Sequence, residues 1–192
     1  MSAIIDHPAG LFTPPEAPLS GRDQCICLIG LMGTGKTTIG RLLSIRNGFQ
    51  FIDADDEEVA RAGYSVAEMF ARNGVAAFRA LETTVLEDVT LRLPVVFSTG
   101  GGVVVSAANR ELLKSRATVV HLTADVEELW QRIQHDTKRP LLNTGDPLKT
   151  LSDLQHERLA LYRECADFSV ETGGKSLEAI VDTICTLLST PR

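Results

Sequence analysis

Aromatic residues are scarce in this chain, where seven Phe, two Tyr and one Trp make up 5% of 192 residues. The core therefore has to be aliphatic, and a hydrophobic content of 44% supplies it. With 23% charged residues this is ordinary globular composition, which excludes a disordered or collagen-like chain. No apolar run approaches the ~20 residues of a membrane span, so no membrane partner is expected. The first 21 residues carry no Lys or Arg, whereas a secretory signal begins with a basic segment. The expected location is cytoplasmic. Cysteine is limited to four residues. Cys25 and Cys27 sit two apart in an apolar run, on one face of a strand, while Cys165 and Cys185 are isolated; all four read as free thiols. Lysine is nearly as rare, with five Lys against fourteen Arg and a net charge of -6. An acidic chain is a poor general nucleic-acid binder, and no such partner is expected. The dominance of Arg matters, because its planar fork suits carboxylate and phosphate.

Residues 1–22 hold half of the eight prolines and no apolar periodicity, and are expected to form a flexible leader. The domain is expected over 23–192, with no internal repeat. Short apolar runs (25–30, 49–53, 94–98, 118–122 and 167–170) alternate with amphipathic stretches at i, i+3, i+4 spacing. Val126, Leu129, Trp130 and Ile133 form one such stripe, and Leu177 to Leu188 another. This alternation predicts a single α/β domain with a parallel sheet covered on both faces. Ser65-x-x-Glu68 and Asp125-x-x-Glu128 each fit a capping pattern at a helix start, which gives Asp125 a structural role.

The strongest signal is Gly30-Leu-Met-Gly33-Thr-Gly35-Lys36-Thr37, a full match to G-x-x-x-x-G-K-[ST] between a strand and a helix. Glycines let consecutive backbone N–H groups curl around phosphate oxygens, and the helix N-terminus adds positive potential. Gly33, Thr34, Gly35, Lys36, Thr37 and Thr38 are expected to bind the phosphates of a nucleoside triphosphate, with Lys36 on the terminal ones. Thr37 is expected to ligate Mg²⁺. The dinucleotide fingerprint G-x-G-x-x-G fails here on spacing.

Asp53 and Asp55 stand at the carboxyl end of the second apolar run, the edge where open parallel sheets bind ligands. Extended geometry points both to one side, so Asp53 is expected to hold Mg²⁺ and Asp55 to accept a hydroxyl proton. Asp56, Glu57 and Glu58 are explained by the dipole of a helix's first turn. Arg79 lies on a stripe with Val75, Phe78, Glu82, Val85, Leu86 and Val89; Arg158 projects through Leu151, Leu154, Leu161 and Tyr162. A charge on a buried face needs a partner. Either Glu82 serves Arg79 internally, or both arginines meet an anionic substrate, and the residues alone leave the two readings even. Gly100-Gly101-Gly102 closes another strand, where a ligand can approach the backbone or the chain can simply turn. The stretch from His135 to Lys149 reads as a long loop carrying Lys138 and Arg139. A lid over about 136–149 would deliver Arg139 to the transferring phosphate; a solvated basic loop is the alternative.

Taken together, these motifs resemble the shikimate kinase family, within the P-loop small-molecule kinases. The resemblance runs from about Gln24 to Leu188. It rests on GLMGTGKTTIG, the F-x-D-x-D segment, Phe78-Arg79, the glycine triplet, Arg139-Pro140-Leu141-Leu142 and Arg158-x-x-x-Tyr162. It implies a five-stranded parallel sheet of order 2-3-1-4-5 in a three-layer domain with a mobile lid. It also implies transfer of the ATP γ-phosphoryl group to the 3-hydroxyl of shikimate, on the route to chorismate and aromatic amino acids. By resemblance Asp55, Arg79, Gly101 and Arg158 would contact shikimate, with Gly100 and Gly102 beside them and the two arginines on its carboxylate. Thr37 and Asp53 would serve Mg²⁺, Arg139 would contact ATP, and Arg132 and Lys175 would lie near the adenine. The catalytic set so implied is Lys36, Asp55 and Arg139, in an enzyme expected to work as a monomer on small molecules. One departure is that Val75 follows Gly74, where the family often has an acidic residue.

Rival readings carry less of the sequence. A gluconate kinase would share the phosphate loop but not the ordered set of the other motifs. A GTPase switch would carry Asn-Lys-x-Asp, of which Asn143-Thr-Gly-Asp146 is only a partial look-alike. A degenerate, non-catalytic kinase fits poorly with intact Lys36, Thr37, Asp53, Asp55 and Arg139.

Overall fold

A computed structural model describes residues 21–135 and 145–190 of the chain. Each apolar run becomes a strand: β1 Cys25–Ile29, β2 Gln50–Asp53, β3 Val95–Ser98, β4 Thr118–Thr123 and β5 Phe168–Glu171. They form one sheet in the order β2-β3-β1-β4-β5, and every pairing is parallel. This is the order that the resemblance implies. The helices are α1 Lys36–Asn47, α2 Ala54–Ala62, α3 Val66–Val89, α4 Ala107–Arg116, α5 Val126–Ile133, α6 Pro147–Cys165 and α7 Leu177–Ser189.

Strand alternation sorts the core into two layers. Cys25, Cys27 and Ile29 face Val85, Leu86, Val103, Leu113 and Tyr162 on one side. Ile26 and Leu28 face Ile39, Leu43, Ile180, Val181 and Ile184 on the other. The central strand β1 is therefore buried on both faces, which a parallel sheet requires. A third cluster joins Leu31 and Met32 to Leu129, Ile133 and Leu151 under the phosphate loop. Cys25, Cys27 and Cys165 are buried free thiols, and Cys185 is half-buried. No described helix is long and apolar enough to cross a membrane.

Several local expectations change in the structure. Ser65 and Glu68 do form a reciprocal capping box. Asp125 stands at the N-cap of α5 without a side-chain cap bond; Glu128 is taken instead by the Gly174 N–H, which donates to Oε1 at 3.1 Å. Val75 leaves the buried stripe and is exposed, because Gly74 breaks the helix there at φ 76°, ψ 174°. The long loop is shorter than expected, since Pro147–Lys149 are the first turn of α6, capped by Asp146. At the other end Gly21 and Arg22, assigned to the leader, are part of the fold: Gly21–Gln24 is a 3₁₀ turn, and Arg22 pairs with Asp167 at 3.0 Å. Residues 1–20 and 136–144 lie outside the described residues, and with them Lys138, Arg139 and most of the lid.

Candidate active site

The phosphate loop leaves β1 at Ile29 and enters α1 at Lys36. Gly30, Gly33 and Gly35 take φ of 142°, 86° and 87°, a region costly to residues with a Cβ. The Thr34 hydroxyl donates to the Leu31 carbonyl at 2.8 Å and closes the turn. Lys36 Nζ donates to the carbonyls of Gly30 and Leu31 at 2.9 and 3.0 Å, which places the ammonium across the loop. Gly35 caps α1 without a side chain, and Thr37 and Thr38 are exposed at the start of the helix. The loop and helix start thus have the glycine-rich geometry, at a helix N-terminus, that suits an anion.

Asp53 ends β2 and does two jobs. Its Oδ1 accepts the Asp55 N–H at 3.1 Å and caps α2. Its Oδ2 accepts the hydroxyls of Thr37 and Ser98, each at 2.8 Å. The extended geometry expected through Asp55 is not found, because the helix starts at Ala54. Asp55 nevertheless faces the site: a methyl group added at Gly100 would lie 2.8 Å from its Oδ1. A carboxylate with two hydroxyls is a hard-oxygen set, suited to a magnesium ion that keeps its other positions for phosphate and water. Among the described residues no cluster of three His, Cys, Asp or Glu side chains could hold a metal without such help.

The glycine triplet is the meeting point of the remaining residues. A methyl group at Gly101 would lie 3.4 Å from the Gly30 carbonyl and 3.6 Å from the Met32 nitrogen, so the triplet touches the phosphate loop. The Gly101 carbonyl accepts from Arg158 Nη1 at 3.0 Å and from the Tyr162 hydroxyl at 2.5 Å. Burial pushes that phenol up to about 12, so it stays a donor. Its ring stacks on His121, centroids 4.7 Å apart. At Gly102 an added methyl would collide with Arg79 Nη2 and lie 3.2 Å from Cζ. Arg79 Nη1 also donates to both oxygens of Glu82 at 2.8 Å, so the internal partner foreseen for Arg79 is real. The pair stands 24% and 3% exposed, leaving the guanidinium edge accessible while the carboxylate is not. The internal reading of Arg79 is thus borne out, and one edge of its guanidinium stays accessible beside Gly102.

Arg132, on α5, spans a gap expected to border the base. It donates to the Gly33 carbonyl at 3.2 Å and to Thr172 Oγ1 and carbonyl at 3.1 and 3.0 Å. Lys175 follows in the exposed turn after β5.

One residue is corrected outright. Glu58 is not a solvated first-turn acid: it is fully buried, and neither oxygen has a hydrogen-bond partner among the described residues. Burial, with the like charges of Asp55 and Glu82, pushes its carboxyl up to about 9, against the pull of Arg79. Its i+3 spacing from Asp55 was the available signal, since it puts both on one helical face. Glu57 behaves as expected for a surface acid and pairs with Arg92 at 3.1 Å. Ser98 and Asn109 also escaped the sequence reading, because neither belongs to a recognisable spacing.

The family model for shikimate kinase matches residues 32–189. The chain belongs to the shikimate kinase family. A shikimate kinase of Bordetella avium is 45% identical over 162 residues, which cover 84% of this chain and 78% of that protein. One from Paracidovorax citrulli is 46% identical over 169 residues, covering 86% and 92%. Among solved structures, a shikimate kinase from Acinetobacter baumannii in complex with shikimate superposes with a TM-score of 0.82 at 40% identity, over 85% of this chain and 91% of that one. A gluconokinase from Sinorhizobium meliloti reaches only 0.52 at 17% identity, which speaks to the fold alone. The fold and sheet order of this chain are thus those of an ATP-dependent shikimate kinase family member.

Proposed function

We propose that the basin between the phosphate loop and the glycine triplet carries out phosphoryl transfer from ATP to the 3-hydroxyl of shikimate. As a member of the shikimate kinase family, the chain is an ATP-dependent kinase acting on a shikimate hydroxyl. The observation that carries the residue assignment is the convergence of Asp55, Arg79 and Arg158 on Gly100–Gly102, directly beside the Gly30 carbonyl.

In this reading the N–H groups of Gly33–Thr38 and the Lys36 ammonium hold the phosphates of ATP. Arg79 and Arg158 hold the carboxylate of shikimate, where a charge-assisted hydrogen bond is worth roughly 1.5–3 kcal/mol. Gly100, Gly101 and Gly102 let the ring approach the backbone. Asp55 accepts the proton of the attacking hydroxyl. The hydroxyl oxygen then bonds to the γ-phosphorus as the bond to the ADP oxygen breaks, in line and without a covalent enzyme intermediate. Lys36 and Arg139, the latter outside the described residues, stabilise charge on the transferring group. A bound magnesium ion would neutralise charge on the β- and γ-oxygens; Thr37 and Asp53, backed by Ser98, would hold it. Arg132 and Lys175 border the adenine. The enzyme works in the cytoplasm as a monomer, with ATP and shikimate as its partners.

The test is ADP release with Mg-ATP, comparing shikimate, gluconate and no acceptor. Turnover with shikimate alone is expected. Turnover with gluconate at a similar rate would overturn the acceptor assignment, and none with either would overturn catalysis by this site.

A further inference from the structure

Asn109 is fully buried near the start of α4, yet it is neither apolar nor in any motif. Its Nδ2 donates to Glu82 Oε2 at 3.0 Å and to the Val103 carbonyl at 3.3 Å. Its Oδ1 accepts from the Thr83 hydroxyl at 2.7 Å. The amide orientation is fixed by chemistry, because an ionised carboxylate only accepts and so has to face the NH₂ group. Every hydrogen-bonding group of the amide is thus spent on two elements: α3, through Glu82 and Thr83, and the turn that follows Gly102.

Arg79 and Glu82 sit three residues apart on one helix, so their ion pair by itself leaves the two side chains able to swing together. An anchor on Glu82 Oε2 from α4 removes that freedom. Because the same amide grips Val103, next to Gly102, it also sets the distance between α3 and the triplet. Arg79 Nη2 is the atom that stands against Gly102. We propose that Asn109 is a positioning residue for the acceptor: by holding Glu82 and the Val103 carbonyl together, it sets where the Arg79 fork stands over the glycine triplet. A buried polar network of this kind specifies one arrangement when fully satisfied, where an apolar filler would only occupy volume. The inference rests on the reading that Arg79 receives the carboxylate of the acceptor.

The experiment is a double-mutant cycle on the full chain with Asn109→Ala, Arg79→Ala and the pair, read as KM for shikimate, KM for ATP and kcat. Asn109→Ala is expected to raise KM for shikimate roughly ten-fold, the equivalent of one hydrogen bond to a buried charge. KM for ATP stays within about two-fold, because the Asn109 amide bonds α3 and the turn after Gly102 rather than the phosphate loop. In the Arg79→Ala background the Asn109 change adds nothing to KM for shikimate, since the group it positions is gone. An additive effect in the double variant, or an unchanged KM in the single one, overturns the proposal. If Arg79→Ala itself leaves KM for shikimate untouched, the carboxylate assignment is what has failed. Should Asn109→Ala not fold, Thr83→Val removes the hydroxyl proton that Asn109 Oδ1 shares with the Arg79 carbonyl while leaving both Nδ2 bonds, and is expected to move KM for shikimate about two- to three-fold in the same direction. No shift in that variant overturns the proposal as well.

Discussion

Glu58→Gln is expected to make the protein more stable at neutral pH and to remove a large part of its pH dependence. The carboxyl is fully buried with no hydrogen-bond partner among the described residues, and its folded value is pushed from 4.5 to about 9, first by burial and then by Asp55 and Glu82. Between those two values the unfolded chain has lost the proton and the folded chain keeps it. Stability contributed by Glu58 is then complete below the unfolded value and drains away as pH rises through the folded one. The slope is about 1.4 kcal/mol per pH unit for one proton. From pH 5 to pH 8 the wild type therefore loses about 4 kcal/mol relative to the neutral isostere. With a urea slope of about 2 kcal/mol/M, the two midpoints separate by roughly 2 M over that range. The assay is urea unfolding of both proteins at pH 5 and pH 8. The readout is the difference between them, in which every other titrating group cancels. Midpoints that run parallel across the range would refute the argument, and with it the claim that Glu58 is protonated in the fold.

The remaining predictions concern the basin and its second buried titrating group. Lys36→Ala is expected to cut kcat by roughly 10²–10³, as loss of an electrostatic donor does elsewhere, and wild-type turnover in an ADP-release assay would remove Lys36 from the reaction. Arg158→Ala is expected to raise KM for shikimate and spare ATP binding; a fall in ATP affinity, measured by titration, would put Arg158 elsewhere. Gly102→Ala drives a methyl into Arg79 Nη2, and is expected to raise KM for shikimate with ATP affinity kept. An unchanged KM would detach the triplet from the acceptor. His121 is held down at about 4, from 6.5, by burial and then by Arg163 and Lys36, with Glu171 opposing. The unfolded chain takes up that proton first, so His121 costs the fold about 3 kcal/mol as pH falls from 6.5 to 4. His121→Phe keeps a ring against Tyr162 and should flatten the acid limb of stability; an unchanged acid limb would count against a buried neutral imidazole.

What was legible in advance follows from periodicity and from chemistry packed into a few consecutive residues. Five apolar runs became five strands because period-2 and period-3.6 patterns report burial locally. The phosphate loop was legible because its function uses adjacent backbone groups, and the Ser65–Glu68 box because capping spans a single turn. The family resemblance added the sheet order and the acceptor, which no local pattern contains. Where local reasoning failed, one residue or a distant partner decided the outcome. Gly74 bent α3 and turned Val75 out to solvent. Gly174 took Glu128 away from the cap of α5.

The amino-acid sequence by itself determined the α/β alternation, the nucleotide cradle and the candidate residues Asp53, Asp55, Arg79 and Arg158. Each of these is a property of spacing along the chain. Only the tertiary structure decided that the three glycines are the floor on which Asp55, Arg79 and Arg158 converge. It alone turned Glu58 inward, joined Ser98 to the Thr37–Asp53 pair, and set Asn109 behind Glu82. The physical reason is that hydrogen bonds and burial depend on which elements the sheet order brings side by side. Asn109 meets Glu82 across 27 residues of chain, and Arg158 meets Gly101 across 57. No pattern within a single helix or strand records such a meeting.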